Sequence, residues 1–389
     1  PSKLILISFD GFRWDYLDMA HKYGFETPNF DALLANGSTV APGGVMNSFP
    51  TKTLPNHYTI ATGMYPGNHG VVHNQYLDPD DGVFFLEDDN QTLANVSFWW
   101  NNGTFDKGPY LPEFVPMPIW IANQLNQKNQ ESRNARRSGV MMWPGGGAPL
   151  YGEVSHVWRY FNNSVRNESR FDELVAWFVD EAAPINLGLL YINEPDLHGH
   201  KWGPTSPKLM KLVSELDALV GYLLRLLIKN NLYDDMNLII TSDHGMANIT
   251  SRVILEEHLD LSTYESYGSS PVLLIWPHEG FEDAIYTKMS KVPNMSVYRK
   301  ADIPAEYHYT FNRRISPLLF VADPGVSFCR TQANLGNHGY NNSWNDMHPF
   351  FVAHGPAFRR NHVSPQFNNV DIYPMMCKVL GIEPGPNDG

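Results

Sequence analysis

Cysteine is nearly missing from this chain, with only Cys329 and Cys377 among 389 residues. Two cysteines cannot build a disulfide scaffold, and their separation fits no zinc-knuckle spacing, which leaves either one bridge or two separate thiols. Cations are also scarce. Lys and Arg total 28 against 41 Asp and Glu, a formal charge of −13, and this excludes a surface built to grip a nucleic-acid duplex, which needs a basic stripe. An anionic substrate would therefore need a local source of positive charge, and bound metal is the natural one. No run has the form of a signal peptide or a membrane span. No internal repeat or low-complexity tract occurs. Hydrophobic residues make up 43% and charged residues 18%, a globular balance in a chain long enough to bury a substantial core.

Asparagine sequons are abundant. Asn36, Asn90, Asn95, Asn102, Asn162, Asn167, Asn248, Asn294 and Asn341 each head Asn-x-Ser/Thr, which favours a secreted or lumenal glycoprotein. The chain opens at Pro1 in the run-up to a strand. It is therefore read as a mature or trimmed ectodomain, secreted or held at the extracellular face by an anchor outside this sequence. The length alone suits two or three domains, but no linker is visible. The expectation is one catalytic domain over 1–389 with a glycosylated surface insertion at about 77–117, rich in acids, Asn, Pro and Trp.

Residues 3–9 form an unbroken apolar run that stops at Asp10-Gly11, the form of a buried parallel strand that delivers a carboxylate at its C-terminal end. Segments 138–143, 186–192 and 237–241 repeat the pattern, ending before Pro-Gly-Gly-Gly, Asn-Glu-Pro-Asp and Ser242-Asp243-His244. Helical patterns lie between them at 27–35, 118–127 and 207–230, the last with Leu209, Leu212, Leu216, Leu219, Leu223 and Leu227 at three- and four-residue spacing. Later strands are expected at 271–276, 318–322 and 349–353, and a final helix at 371–380. The class is α/β, with a mostly parallel central sheet flanked by helices. In such sheets ligands gather beyond the carboxyl ends of the strands, so the four termini converge on one rim.

Residues 47–58 read Asn-Ser-Phe-Pro-Thr-Lys-Thr-Leu-Pro-Asn-His-Tyr. Pro55 suits a first helical turn, which places Thr53 at the N-cap or first turn of a helix running to about Gly63. A hydroxyl there is either a plain helix cap or a nucleophile facing unpaired N–H groups and the positive end of the helix dipole. Metal-ligand residues elsewhere tip the reading. Asp196 and His200 stand four apart after a strand, Asp243-His244 follows another strand, and His338 lies in a glycine-flanked turn. With Asp10 these make three carboxylates and three imidazoles, donors that zinc accepts. Two divalent ions roughly 4 Å apart can clamp the attacking and leaving oxygens at phosphorus and make a threonine usable as a nucleophile.

At these residues the chain resembles the nucleotide pyrophosphatase/phosphodiesterase family of ectoenzymes, members of the alkaline-phosphatase superfamily. The matching motifs run the length of the chain: Ser8-Phe-Asp-Gly-Phe-Arg13, Phe49-Pro-Thr-Lys-Thr-Leu-Pro-Asn-His-Tyr58, His69-Gly70, Asn74, Trp143-Pro-Gly145, Glu194-Pro-Asp196, Gly199-His-Lys-Trp-Gly-Pro204, Thr241-Ser-Asp-His-Gly-Met246, Gly336-Asn-His-Gly-Tyr340 and His354-Gly-Pro356.

The resemblance implies an alkaline-phosphatase-like fold. It implies one zinc on Asp196, His200 and His338, and a second on Asp10, Thr53, Asp243 and His244. Thr53 would be the nucleophile and Asn74 the donor to a non-bridging oxygen. Leu54, Phe161 and Tyr191 would line the nucleotide pocket, with Asn74 also touching substrate. On the residues alone, Asn74 as a turn-closing side chain and Phe161 and Tyr191 as core aromatics stay open. Some members carry Asp where this chain has Gly147, and 105–115 forms a longer insertion than expected. The cysteine-rich and nuclease-like modules of the large members do not occur in this sequence, so the chain is similar to the short members that act on diadenosine polyphosphates or NAD.

The expected activity is release of a nucleoside 5′-monophosphate from ATP, NAD or a diadenosine polyphosphate through a threonine-bound intermediate. Two alternatives stand beside it: a hydrolase of choline-phosphoester lipids, and an inactive surface glycoprotein.

Overall fold

The apolar run Lys3–Phe9 is a strand paired in parallel on both edges, with Met236–Thr241 on one side and Leu187–Ile192 on the other. A strand enclosed in that way has no wet face, so its sequence is apolar throughout instead of alternating. The computed structural model describes residues 1–80, 82–86, 116–126, 135–150, 152–331 and 334–389. Eight strands form the main sheet in the order His362–Ser364, Ser38–Val40, Phe351–His354, Met236–Thr241, Lys3–Phe9, Leu187–Ile192, Ser138–Met141, Val157–Arg159. Only Phe351–His354 runs against its neighbours. The four expected strands thus lie side by side, and their C-terminal ends share one rim.

The period of two along each strand feeds two cores. Leu4, Leu6, Leu187, Leu189 and Ile239 join the core that holds the helices Thr53–Thr62, Ile119–Leu125 and Ile372–Leu380. Ile5, Ile7, Leu190, Ile192 and Ile240 face the opposite core, under Asn167–Phe178 and Pro207–Lys229. The long helix behaves as its spacing requires. Leu209, Leu216, Leu219, Leu223 and Leu227 are buried, Leu212 packs at the margin, and the Ser206 hydroxyl accepts from Leu209 N.

A second, antiparallel sheet of four strands carries Tyr264–Ser269, Val272–Pro277, Leu318–Ala322 and Met295–Arg299. Its strand Val272–Pro277 alternates in the same way, with Val272 and Leu274 in the main core and Leu273 and Ile275 in a third core beneath helix Glu282–Met289.

The start of the expected insertion is built into the fold. The insertion expected from residue 77 begins with a strand, Gln75–Asp78, paired to Val83–Leu86, and Asp78 is fully buried against Arg313 and Arg314. An acid-rich stretch therefore supplies an interior ion partner at its first acid instead of surface decoration. Asn90, Asn95, Asn102 and 105–115 lie outside the described residues, as does the last residue of the helix expected at 118–127, observed as Ile119–Leu125. Cys329 and Cys377 are both free, the second sealed in the main core. Asn36, Asn162, Asn248 and Asn294 are exposed, and Asn167 and Asn341 half-buried. Among the described residues no helix is long and apolar enough to cross a membrane.

One buried acid locks the helix layer together. Asp217, on the long helix, accepts from Phe30 N at 2.7 Å and from Asn29 Nδ2 at 2.8 Å, capping helix Pro28–Asn36 from outside. Asp217→Ala leaves the buried Phe30 N–H without its acceptor and Asn29 Nδ2 with only the residue 217 carbonyl, and a loss of about 2 kcal/mol in urea unfolding is expected. A loss indistinguishable from zero would show that water replaces the carboxylate.

Candidate active site

Asp10 leaves the strand Lys3–Phe9 directly, and Gly11 turns the chain with a φ of 69°. A Cβ on Gly11 would stand 2.9 Å from that of Asp196, so the absence of a side chain lets the two acidic loops touch. Asp196 N donates to Asp10 O at 2.9 Å. Asp196 and His200 open a short helix, Asp196–Trp202, where i,i+4 spacing puts both on one face. The two-residue strand Gly336–Asn337 pairs with Ala247–Asn248, which follows Asp243-His244, and so the rings of His338 and His244 stack 3.5 Å apart.

All three imidazoles are held the same way. Nδ1 donates to a backbone carbonyl in each: His200 to Gly336 O at 2.8 Å, His244 to Gly245 O at 2.7 Å, His338 to Thr51 O at 2.9 Å. Carbonyls only accept, so this fixes Nδ1 as the protonated nitrogen and turns Nε2 toward the carboxylates, the arrangement of a metal-ligating histidine. His244 Nε2 lies 3.2 Å from Asp10 Oδ1, 3.0 Å from Asp243 Oδ2 and 3.3 Å from Thr53 Oγ1. His200 and His338 approach different oxygens of Asp196, each at 3.5 Å.

Among the described residues, two groups each bring one donor atom per residue within 4.8 Å of the others: Asp10, Asp243 and His244, and Asp196, His244 and His338. His244 therefore sits at the seam between them, while His200 borders the second group through Asp196.

The charge in this pocket asks for a cation. Among the described residues none hydrogen-bonds to Asp10 Oδ1, Asp196 Oδ1 or Asp243 Oδ2, although all three are buried. Burial and the neighbouring charges of Asp243 and Asp196 raise the Asp10 carboxyl well above its usual range. Burial opposes the charge on Asp243 as well, yet His244 and His57 hold it low. His244 is raised against burial, chiefly by Asp243 and Asp10. One proton on His244 Nε2 can serve only one of two carboxylates, whereas a divalent ion serves both. The donor set, nitrogen and oxygen at inward positions with no thiolate, fits zinc or a similar ion.

Thr53 is the first residue of helix Thr53–Thr62, Lys52 at the N-cap makes no side-chain capping bond, and the Thr53 hydroxyl faces His244 Nε2. The exposed N–H of that first turn is taken instead by Asn74, whose Oδ1 accepts from Leu54 N at 2.9 Å. Thr53 is thereby relieved of the plain capping role. His57, one turn later, was not singled out by sequence. Its Nδ1 donates to Thr53 O at 2.8 Å, its Nε2 accepts from the Ser8 hydroxyl at 2.8 Å, and Asp243 lies 3.5 Å away. Burial lowers its pKa, so it braces the site as a neutral ring. The only signal in the chain is its i,i+4 spacing from Thr53.

Thr53 lines two cavities. The larger, about 380 Å³, is polar and includes Asn74, Asp196, His200, His338, Ser270 and Ser327. The smaller, about 140 Å³, is walled by Leu54, Trp143, Tyr160, Phe161 and Tyr191. Phe161 is 43% exposed, so it is no core aromatic, and it meets Tyr191 edge-on at 5.6 Å. Tyr191 has a second contact, its hydroxyl donating to Asp10 Oδ2 at 2.6 Å. At Gly147 a Cβ would come within 2.7 Å of Tyr160 and 2.8 Å of Trp158, so those rings fill the space a side chain would need.

Residues 4–341 match the family described as type I phosphodiesterase / nucleotide pyrophosphatase. The chain is 40% identical to ectonucleotide pyrophosphatase/phosphodiesterase family member 5 of Homo sapiens, covering 100% of this chain and 76% of that protein. It is 38% identical to bis(5′-adenosyl)-triphosphatase ENPP4 of Homo sapiens, with 100% and 80% covered. Among solved structures, murine ectonucleotide pyrophosphatase/phosphodiesterase 5, in an inactive threonine-to-alanine form in complex with AMP, superposes with a TM-score of 0.89 at 37% identity over 100% of this chain and 97% of that one. The human counterpart gives 0.88 at 39% identity, over 100% of this chain and 97% of that one. The chain thus has an alkaline-phosphatase-like fold, belongs to the type I phosphodiesterase/nucleotide pyrophosphatase family, and is a hydrolase of phosphodiester and pyrophosphate bonds.

Proposed function

We propose that this chain is an extracellular two-zinc enzyme that cleaves nucleotide phosphodiester or pyrophosphate bonds and releases a nucleoside 5′-monophosphate through an intermediate on Thr53. The observation that carries the reading is the position of the Thr53 hydroxyl, 3.3 Å from His244 Nε2 and at the meeting point of a ring-lined and a polar cavity. Asp10, Thr53, Asp243 and His244 would hold one ion, and Asp196, His200 and His338 the other. Bound there, the ions would supply Lewis-acid charge to the phosphoryl oxygens and lower the pKa of the hydroxyl and of water.

The protein's own groups do the rest. Thr53 heads a helix, whose positive end favours the charge that gathers on a phosphoryl group. Its oxygen attacks phosphorus, the nucleotide becomes esterified to it, and the leaving group departs into the larger cavity. Water then attacks from the side just vacated, so the two inversions sum to retention. Asn74, its oxygen held by Leu54 N, donates from Nδ2 to a non-bridging oxygen as charge develops there, a role worth about 100-fold or more in kcat. Phe161 and Tyr191 hold the base by stacking, about 1–3 kcal/mol per base, with Leu54 packed beside it. Tyr191 also orients Asp10.

Two cations favour a nucleobase over a choline group in the smaller cavity. Arg159 is part of its wall, and the Arg170 guanidinium lies 5.6 Å from the Phe161 ring centroid. Arg170 covers one face of the Phe161 ring that a quaternary ammonium would need, and both charges repel such a group. The relative named bis(5′-adenosyl)-triphosphatase and the neighbour solved with AMP support an adenine nucleotide, and ATP, NAD or a diadenosine polyphosphate is the substrate class of this reading. Exposed sequons at Asn36, Asn162, Asn248 and Asn294 support glycosylation and an extracellular setting. A single catalytic domain over 1–389, with the insertion at about 77–117, is part of the same reading.

Thr53→Ala is expected to lower turnover of ATP, NAD and diadenosine triphosphate by more than about a thousandfold, since a nucleophile is removed. Bound zinc, counted by atomic absorption, should stay near two per chain. Near-wild-type turnover would remove Thr53 from its role, and faster cleavage of lysophosphocholine than of any nucleotide would favour the lipid reading. A substrate chiral at phosphorus through sulfur and an oxygen isotope is expected to give net retention; net inversion would exclude the threonine ester. Chelation should abolish activity and lower Tm, with zinc restoring both, since an ion at a thousand times its Kd adds about 4 kcal/mol.

A further inference from the structure

Asn74 stands on a stretch with little structure of its own, Gly70 to Asn74, between helix Pro66–His69 and strand Gln75–Asp78. A donor that serves a transition state has to be held to a fraction of an ångström, and a loop cannot do that alone. This one is gripped at three successive residues, Gly70, Val71 and Val72, by buried polar side chains. His69 Nδ1 accepts from Val71 N at 3.1 Å, and its Nε2 donates to Pro55 O at 3.1 Å, tying the loop to the helix that begins at Thr53. Tyr309 Oη donates to Val72 O at 2.6 Å. Arg314 Nη1 donates to Gly70 O at 2.9 Å and to Tyr76 Oη at 3.1 Å.

Arg314 is itself aimed from behind. Its Nε donates to Asp78 Oδ2 at 2.8 Å, and Arg313 grips the same carboxylate through Nε and Nη2 at 3.0 and 2.9 Å. Burial opposes the charge on Asp78, yet the two guanidinium groups hold its pKa down to about 2. His69, Tyr76, Asp78, Tyr309 and Arg314 are all 1% exposed or less, so water does not compete for these bonds. Burial also presses His69 down to about 3, which keeps it neutral and its accepting nitrogen available to Val71 N. Burying an arginine and a carboxylate stabilises little beyond what apolar side chains of equal volume would. What such a pair confers is direction.

We propose that Tyr309 and Arg314, together with His69, are positioning residues that set the distance between the Asn74 amide and the Thr53 hydroxyl. The inference rests on the role given to Asn74 above. Its prediction is specific to geometry: loosening the clamp degrades stabilisation of one non-bridging oxygen and leaves substrate binding nearly unchanged.

The test uses the full chain, zinc-loaded, on the Rp and Sp diastereomers of a nitrophenyl nucleoside 5′-phosphorothioate, with Asn74→Ala as reference. Tyr309→Phe keeps volume and removes one hydrogen bond; Arg314→Lys keeps the charge facing Asp78 and removes the fork. Each is expected to lower kcat by about tenfold with KM within about twofold, the scale of a donor displaced but still present. Each should also move the Rp/Sp ratio of kcat/KM in the direction that Asn74→Ala moves it, by a smaller factor. A wild-type ratio in Tyr309→Phe, when Asn74→Ala shifts it, overturns the clamp and leaves the catalytic reading intact. An unshifted ratio in Asn74→Ala itself overturns the donor role, and the clamp with it. Should Arg314→Lys fail to fold, Tyr309→Phe decides.

Discussion

Mutual repulsion among Asp10, Asp196 and Asp243 is the constraint around which the rest of the molecule is arranged. Three carboxylates gathered at one rim, with three of their oxygens buried and lacking hydrogen-bond donors among the described residues, would push the strand ends apart unless positive charge lay among them. The parallel sheet makes the gathering unavoidable, because adjacent strands end at the same level. The carbonyl-locked histidines then turn Nε2 toward the acids. Fold and chemistry are coupled at that point: the sheet creates a local excess of negative charge that a metal relieves, and the metal's charge is what a phosphoryl substrate needs.

Much of this was legible in the chain. An apolar strand that stops at an acid announces both its burial and its cargo, which is why Asp10 and Asp243-His244 could be placed from pattern alone. The i,i+4 pair Asp196 and His200 was equally plain, and the leucine spacing of 207–230 described a real helix. His338 is a different case. It reaches the site by a two-residue strand, Gly336–Asn337, whose partner lies some ninety residues earlier, and only the motif around it marked it out.

Other features had no local signal. The direction of Phe351–His354 depends on how the chain arrives, and an apolar run reads the same both ways. Asp78 sits in Asp-Pro-Asp-Asp-Gly, which looks like surface, and its partners Arg313 and Arg314 are 235 and 236 residues away. The hydroxyl of Tyr191 was read through its ring, while its hydrogen bond to Asp10 depends on two strands lying side by side. Assignments of this kind need the register of distant segments, which no window of sequence contains.

The packing at residue 147 has a consequence for how such a pocket could diversify. Because Trp158 and Tyr160 already occupy the volume next to Gly147, a new functional group there cannot be added without moving a ring out of the wall. Altered ligand preference through this position would therefore require coordinated exchange at two or three sites, with single steps passing through poorly packed intermediates. The floor of the smaller cavity is in that sense an epistatic unit, and divergence should proceed more readily at its open edge, around Phe161, than at its base.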